Sequence, residues 1–187
     1  MHRLALAAAM QAFAAIDLSD AVYVACPVSS GRRELDLMAD LSLFDRDHLR
    51  GHHTTRWRLE VLEPNKNAAV AAVTAARARH PRRSVINPSE FELDGLTQPD
   101  YDSLCADIIK GHVGHLVLAD GWQFSRGARI EAALALELGR SVEDGDGNPL
   151  ARAQILTSMD DVVPALVRLG FPDEVARSLL PEVAPVS

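Results

Sequence analysis

Apolar positions along this chain follow two rhythms. Residues 21–25, Ala-Val-Tyr-Val-Ala, form a short unbroken apolar run of the kind that makes a buried strand. Shorter runs at 84–88 and 115–119, and a start at 140–142, predict three more strands. Between them, residues 65–80, 99–111 and 128–138 have helical character, the last with Ile130, Leu134 and Leu138 on one stripe. Punctuation agrees with the periods. Pro27 ends the first strand, Pro81 stops the first helix, Pro99 and Gly111 bracket the second, and Gly139 closes the third. Strand and helix alternate, which predicts an α/β fold with a parallel sheet sandwiched by helices. Periodicity leaves the strand order open.

Two stretches interrupt the alternation. Across 32–64 the pattern is weak, with 35–44 expected to be helical and 48–58 polar and basic, so this segment reads as an insertion or lid. Beyond a turn at 144–149, residues 150–187 are expected to form a helical appendage, with short helices at 160–169 and 172–180. Residues 4–16 are Ala-rich and helix-favouring. A secretory signal is not expected there: Gln11 interrupts the run, and cleavage would leave the 21–26 strand at the extreme terminus. The reading is one domain over 1–187, with its core at 20–143.

The composition is that of an ordinary globular protein, 48% hydrophobic and 24% charged over 187 residues. A net charge of -7 argues against a nucleic-acid polymer as partner, though not against a small phosphorylated ligand held by a few aimed donors. Cys26 and Cys105 stand far apart and outside any metal spacing, which fits a reducing cytoplasm. No stretch approaches the ~18 apolar residues of a membrane span, so no membrane partner is expected.

Chemistry concentrates at 120–131, which runs from a strand end through a turn into a helix. Ser125 suits the helix N-cap, Gly127 permits close approach of a ligand, and the free N–H groups of the first turn suit an anion. Glu131 follows Ser125 by six positions, too far for a capping-box partner, so its place needs another reason. An arbitrary helical glutamate is a solvated carboxylate; the company of this one singles it out. Asp107 lies within a helix among Leu104, Ile108 and Ile109, and a parallel sheet gathers Asp107, Glu131 and Tyr23 near the carboxyl ends of its strands. Two carboxylates and a phenol suit attack at an anomeric carbon with a second group handling protons.

Four blocks occur in order: Tyr23-Val24-Ala25-Cys26-Pro27; Val85-Ile86-Asn87-Pro88; Tyr101 through Asp107-Ile108-Ile109; and Gly121-Trp122-x-x-Ser125-x-Gly127-Ala128-x-x-Glu131, followed by Ala135 and Gly139. Together they resemble the nucleoside 2-deoxyribosyltransferase family over about residues 20–143, nearest to its members that hydrolyse nucleoside 5'-monophosphates. The resemblance implies a flavodoxin-like (Rossmann-like) α/β sandwich, a homodimer or higher homo-oligomer, and no metal or organic cofactor. It implies Glu131 as nucleophile, Asp107 as the carboxylate that handles protons or positions the sugar, and Tyr23 as the phenol that orients the nucleophile. Ser29, Ser30, Gly31 and Arg32 resemble the phosphate-gripping first loop, with Ser125 and Gly127 across from it. The expected activity is hydrolysis of a nucleotide's N-glycosidic bond; the alternatives are base exchange between nucleosides and a non-catalytic nucleotide-binding module. Three departures bear on the substrate: Cys26 where many relatives have Gly, the long insertion, and His115 at a position often acidic.

Trp122 is a candidate to stack on a base, as is Phe124, against the alternative that both fill the core. His48, His52 and His53 lack a carboxylate or thiol at ligand spacing and read as a polar loop, so no metal is assigned. Arg56, Arg58, Arg82 and Arg83 read as solvated surface. Cys26 reads as a packed thiol rather than a nucleophile, and 144–148 as a turn rather than a calcium loop, lacking the distal Glu.

Overall fold

Ala-Val-Tyr-Val-Ala becomes strand β1 (Ala21–Ala25), every residue of it buried. In the computed structural model, which describes residues 18, 20–91 and 97–180, β1 sits between β2 (Val85–Ile86) and β3 (Val113–Leu118). Strand β4 (Ser141–Asp144) joins the far side of β3, and every pairing is parallel. The order β2-β1-β3-β4, with helices on both faces, is the flavodoxin-like α/β arrangement. The expected helix at 4–16 and the appendage beyond residue 180 lie outside the described residues.

This order places a switch point between β1 and β3. The chain leaves β1 toward one edge, at β2, and then crosses back to β3 on the other side, so the connections diverge above the carboxyl ends of β1 and β3. Backbone pairing continues past the strands, with Ala119 N–H donating to the Ala25 carbonyl at 3.0 Å, which holds the two outgoing loops together.

Side chains alternate between the faces as the pleat requires. Tyr23, Leu116, Leu118 and Val142 pack beneath helices α5 (Gln98–His112) and α6 (Arg126–Glu137). Val22, Val24 and Val117 face the opposite way, against Ala69, Val73 and Ala76 of α4 (Glu63–Arg79). The small residues on α4 allow it to lie close to the sheet, which accounts for the Ala-rich sequence there.

The weakly patterned segment is helical almost throughout: α1 (Arg32–Asp40), α2 (Arg46–His52), α3 (Thr54–Trp57) and a π-helical turn (Arg58–Leu62) that runs into α4. Asp45 caps α2, its carboxylate accepting from Asp47 N–H at 2.8 Å and His48 N–H at 3.3 Å. The segment 48–58 is thus helical though polar and without clear period, since Leu49 is its one buried residue, too few to mark a stripe. After β4, three helices follow where two were expected: α7 (Arg152–Asp160), α8 (Val162–Arg168) and α9 (Asp173–Leu179). The insertion and the C-terminal helices share one apolar cluster, in which Leu35, Met38, Leu49 and Val61 meet Val162, Leu166, Phe171 and Leu179. Burying such side chains contributes about 1.5–3 kcal/mol each, so the segment is a packed wall and not a free lid.

Candidate functional site

Helix α5 begins with a reciprocal cap: Asp100 accepts from both the backbone N–H and the hydroxyl of Thr97, at 2.8 and 2.6 Å. From that start, Gln98, Tyr101, Asp102, Cys105, Ala106 and Ile109 fall on one stripe and line a cavity of about 390 Å³. Such a volume suits a small-molecule ligand. Asp107 lies off that stripe and is exposed, so the structure does not bring it into the cavity. The carboxylate at this wall is Asp102, and helical geometry is the reason: five positions along a helix turn a side chain well away from the face of its neighbour.

Glu131, one turn into α6, lines the cavity, and Tyr23 reaches it from β1: the phenol donates to Glu131 Oε1 at 2.6 Å. The Cys105 thiol is within hydrogen-bonding reach of both groups. Burial pushes Glu131 up to about 7, against the pull of the Tyr23 and Cys105 hydrogen bonds, and the nearby Asp102 charge adds to the rise. Desolvation, then the Glu131 charge, keep Tyr23 well above an ordinary phenol, so it remains a donor. Cys26 and Cys105, both on the cavity wall, are pushed up to about 12 by burial and by Glu131. Both stay thiols, which agrees with Cys26 as a packed residue and not a nucleophile.

The cavity is also lined by cations. Arg46, Arg50, Lys66 and Arg126 line the same cavity as Ser29, Ser30, Ser125 and Gly127. Glu34, fully buried in the first turn of α1, holds two of the cations, with Oε2 2.9 Å from Arg46 Nε and Oε1 2.7 Å from Arg50 Nη2. Arg50 also donates to the Ser29 carbonyl at 2.9 Å, and Arg46 to the Leu179 carbonyl at 2.8 Å, so the C-terminal helices brace these cations. Arg46 Nη2 is buried without a hydrogen-bond partner among the described residues. The Asn65 amide pins the first loop by donating to the Val28 and Ser30 carbonyls at 3.0 and 2.8 Å.

Ser125 is the N-cap residue of α6, yet its side chain makes no capping bond; its hydroxyl lies 3.3 Å from that of Ser30, across the cavity mouth. A Cβ on Gly127 would meet nothing within 4 Å, so open space lies against this backbone. Arg126 pairs with Asp102, Nη1 to Oδ2 at 2.5 Å, and ties the two long walls together.

The remaining expected residues act elsewhere. Gly31 is the N-cap of α1 at φ 99°, where a Cβ would come within 2.7 Å of Pro27 Cβ; it shapes the loop without lining the cavity. Arg32 faces outward, paired with Asp36 at 2.7 Å and stacked over Phe124 at 5.4 Å. Trp122 belongs to the main core and Phe124 to the second one, so neither offers a face to the cavity. The sequence reading missed Asp102, Cys105, Arg46, Arg50, Lys66 and Arg126. For α5 a signal existed in the helical stripe through Asp102; the arginines resemble any solvated basic surface until Glu34 is seen beneath them.

Among the described residues no helix is long and apolar enough to cross a membrane. Residues 62–144 match the family model described as "Domain of unknown function (DUF4406)". That stretch carries Asp102, Cys105, Ser125 and Glu131 but neither Tyr23 nor the two arginines held by Glu34. No curated protein and no solved structure matches the chain.

Proposed function

We propose that this protein hydrolyses the N-glycosidic bond of a nucleoside 5'-monophosphate or a close analogue, releasing free base and ribose or deoxyribose 5-phosphate. The observation that carries the reading is the Tyr23–Glu131 pair, joined at 2.6 Å, in one cavity with Arg46, Arg50, Lys66 and Arg126. A carboxylate aligned by a phenol suits attack on an anomeric carbon, and a cationic wall beside serine hydroxyls suits a phosphate. The likeness of the four sequence blocks to the nucleoside 2-deoxyribosyltransferase family supports the same chemistry.

In this mechanism Glu131 attacks C1' as the C1'–N bond breaks, and the bonding pair leaves on the base nitrogen, which takes a proton from solvent. Water then adds to C1', releasing Glu131, and gives up its proton. Asp102, which lines the cavity where Asp107 was expected, receives that proton or holds a sugar hydroxyl. Tyr23 fixes the attacking oxygen. The arginines and Lys66 grip the phosphate together with Ser30 and Ser125.

The test is chromatographic detection of free base after wild type and Glu131→Ala are incubated with nucleoside monophosphates, nucleosides and NAD. Base release from monophosphates by wild type alone is expected. A new nucleoside on adding an acceptor base would assign base exchange instead, and ligand binding without turnover would assign a binding module.

A further inference from the structure

On the sheet face away from Tyr23 lies a second polar cluster that the proposed reaction does not use. His115 on β3 pairs in register with Ser141, and Val117 with Glu143 on β4, so His115 and Glu143 project to the face covered by α4. His80 is the C-cap residue of α4. Three separate elements thus converge. Glu143 Oε2 is 2.9 Å from His115 Nε2, and its Oε1 is 3.1 Å from His80 Nε2. One ligating atom from each residue lies within 4.8 Å of the others. His115 and Glu143 are only 9% and 6% exposed.

This is an odd arrangement for histidines that merely fill space. His115 Nε2 is buried and approaches Glu143 Oε2 at 2.9 Å without a hydrogen bond of good geometry. An unsatisfied buried polar atom costs about 1–3 kcal/mol. The other ring nitrogen is well satisfied: Nδ1 is 2.6 Å from Ser141 Oγ, which in turn lies 3.3 Å from the Gly114 carbonyl. An imidazole anchored through one nitrogen, with the other turned toward a carboxylate, is how metal-binding histidines are held. Arg79 donates twice to Glu143 Oε1, at 3.1 and 3.0 Å, and so fixes the carboxylate with Oε2 turned to His115. Tetrahedral zinc, with bonds of about 2.0–2.1 Å, sets its ligand atoms roughly 3.3 Å apart. The two His–Glu approaches are to opposite oxygens of the carboxylate, and a set of one ligating atom per residue lies within 4.8 Å, so a small inward shift of the three side chains reaches that spacing.

We propose that His80, His115 and Glu143 bind one divalent cation of the zinc class, with water completing its coordination. The cation would tie the end of α4 to the edge strand β4. Its role is structural, since the sheet separates it from Glu131. Arg79 opposes a dication electrostatically, so the expected affinity is well below that of a four-ligand thiolate site.

The test is calorimetric titration of the chelator-stripped chain with zinc chloride, beside His80→Gln, Glu143→Gln and a His48→Gln/His52→Gln double variant. The last removes two surface imidazoles whose rings lie 4.4 Å apart, the rival zinc site. One zinc per chain is expected in wild type and in the double variant. His80→Gln and Glu143→Gln should weaken it by more than about tenfold, the loss that even a second-sphere change produces. The zinc-dependent rise in Tm should vanish in the same two variants. No zinc binding by wild type, or binding that survives in a folded His80→Gln and is lost in the double variant, overturns the proposal.

Discussion

Tyr23 and Glu131 are 108 positions apart in sequence, and the phenol of one donates to the carboxylate of the other at 2.6 Å. The bond spans the central strand and the helix after the switch point, so it exists only in the folded sheet. It also sets the acid–base balance of the site, opposing the burial that lifts Glu131 to about 7. In the proposed reaction Glu131 attacks as a carboxylate, so kcat/KM for base release should rise with pH through about 7. Tyr23→Phe removes a hydrogen bond that favours the charged form, so the acid limb should move to higher pH as well as kcat falling. A pH–rate profile of both proteins checks this; an unmoved limb would separate the rise in rate from Glu131.

The same burial predicts a stability effect. Glu131 titrates near 7 in the folded chain and near 4.3 when unfolded, so over that window the folded state holds a proton that the unfolded state has released. Stability from this site is therefore present below the unfolded value and lost as pH rises through about 7. Glu131→Gln keeps an acceptor for Tyr23 and cannot ionise. It should be more stable than wild type by about 1–3 kcal/mol at about pH 8, with the difference disappearing toward about pH 4. Denaturant melts at the two pH values, beside the loss of base release, test it.

Asp102 and Asp107 share a helix but not the cavity. Asp102 faces the cavity and Asp107 faces solvent from the same helix. Asp102→Asn should lower kcat about 10²- to 10⁴-fold, the range of a lost proton-transfer group. Asp107→Asn should leave kcat and stability close to wild type. Equal losses in both variants would remove Asp102 from the mechanism.

What the sequence made legible follows local rules, and what it hid depends on contacts between distant segments. Residues 120–131 read correctly as strand end, turn and helix because Gly121, Ser125 and the apolar stripe after Gly127 are local signals. Tyr23 and Glu131, singled out by the sheet's gathering of strand ends and by the family resemblance, are brought into contact by the fold. Asp107 stands out in sequence by its apolar helical neighbours and by the family resemblance, whereas the cavity selects by helical face. Trp122 was offered to a base because aromatic residues at strand ends serve both purposes, and only its neighbours in the core decide between them. Arg46 and Arg50 carried no local sign at all. Their place is fixed by Glu34, 12 and 16 positions earlier, and by helices at the far end of the chain.

That buried acid makes the cationic wall a testable phosphate site. Glu34 satisfies one side of the Arg50 guanidinium, through Nε and Nη2 at 3.0 and 2.7 Å, and orients it while Ser29 accepts a further bond. A ligand phosphate would meet an arginine already held in place, so little ordering entropy is lost on binding. Arg50→Gln removes one charge-assisted contact, worth about 1.5–3 kcal/mol, which corresponds to roughly a ten- to hundredfold rise in KM. The rise should appear for nucleoside 5'-monophosphates and not for the matching nucleosides, with kcat largely kept, because the phosphate contact is present in ground state and transition state alike. Steady-state kinetics on both substrate types decide the matter: an equal rise for nucleosides would mean that Arg50 acts through the shape of the first loop and not through phosphate.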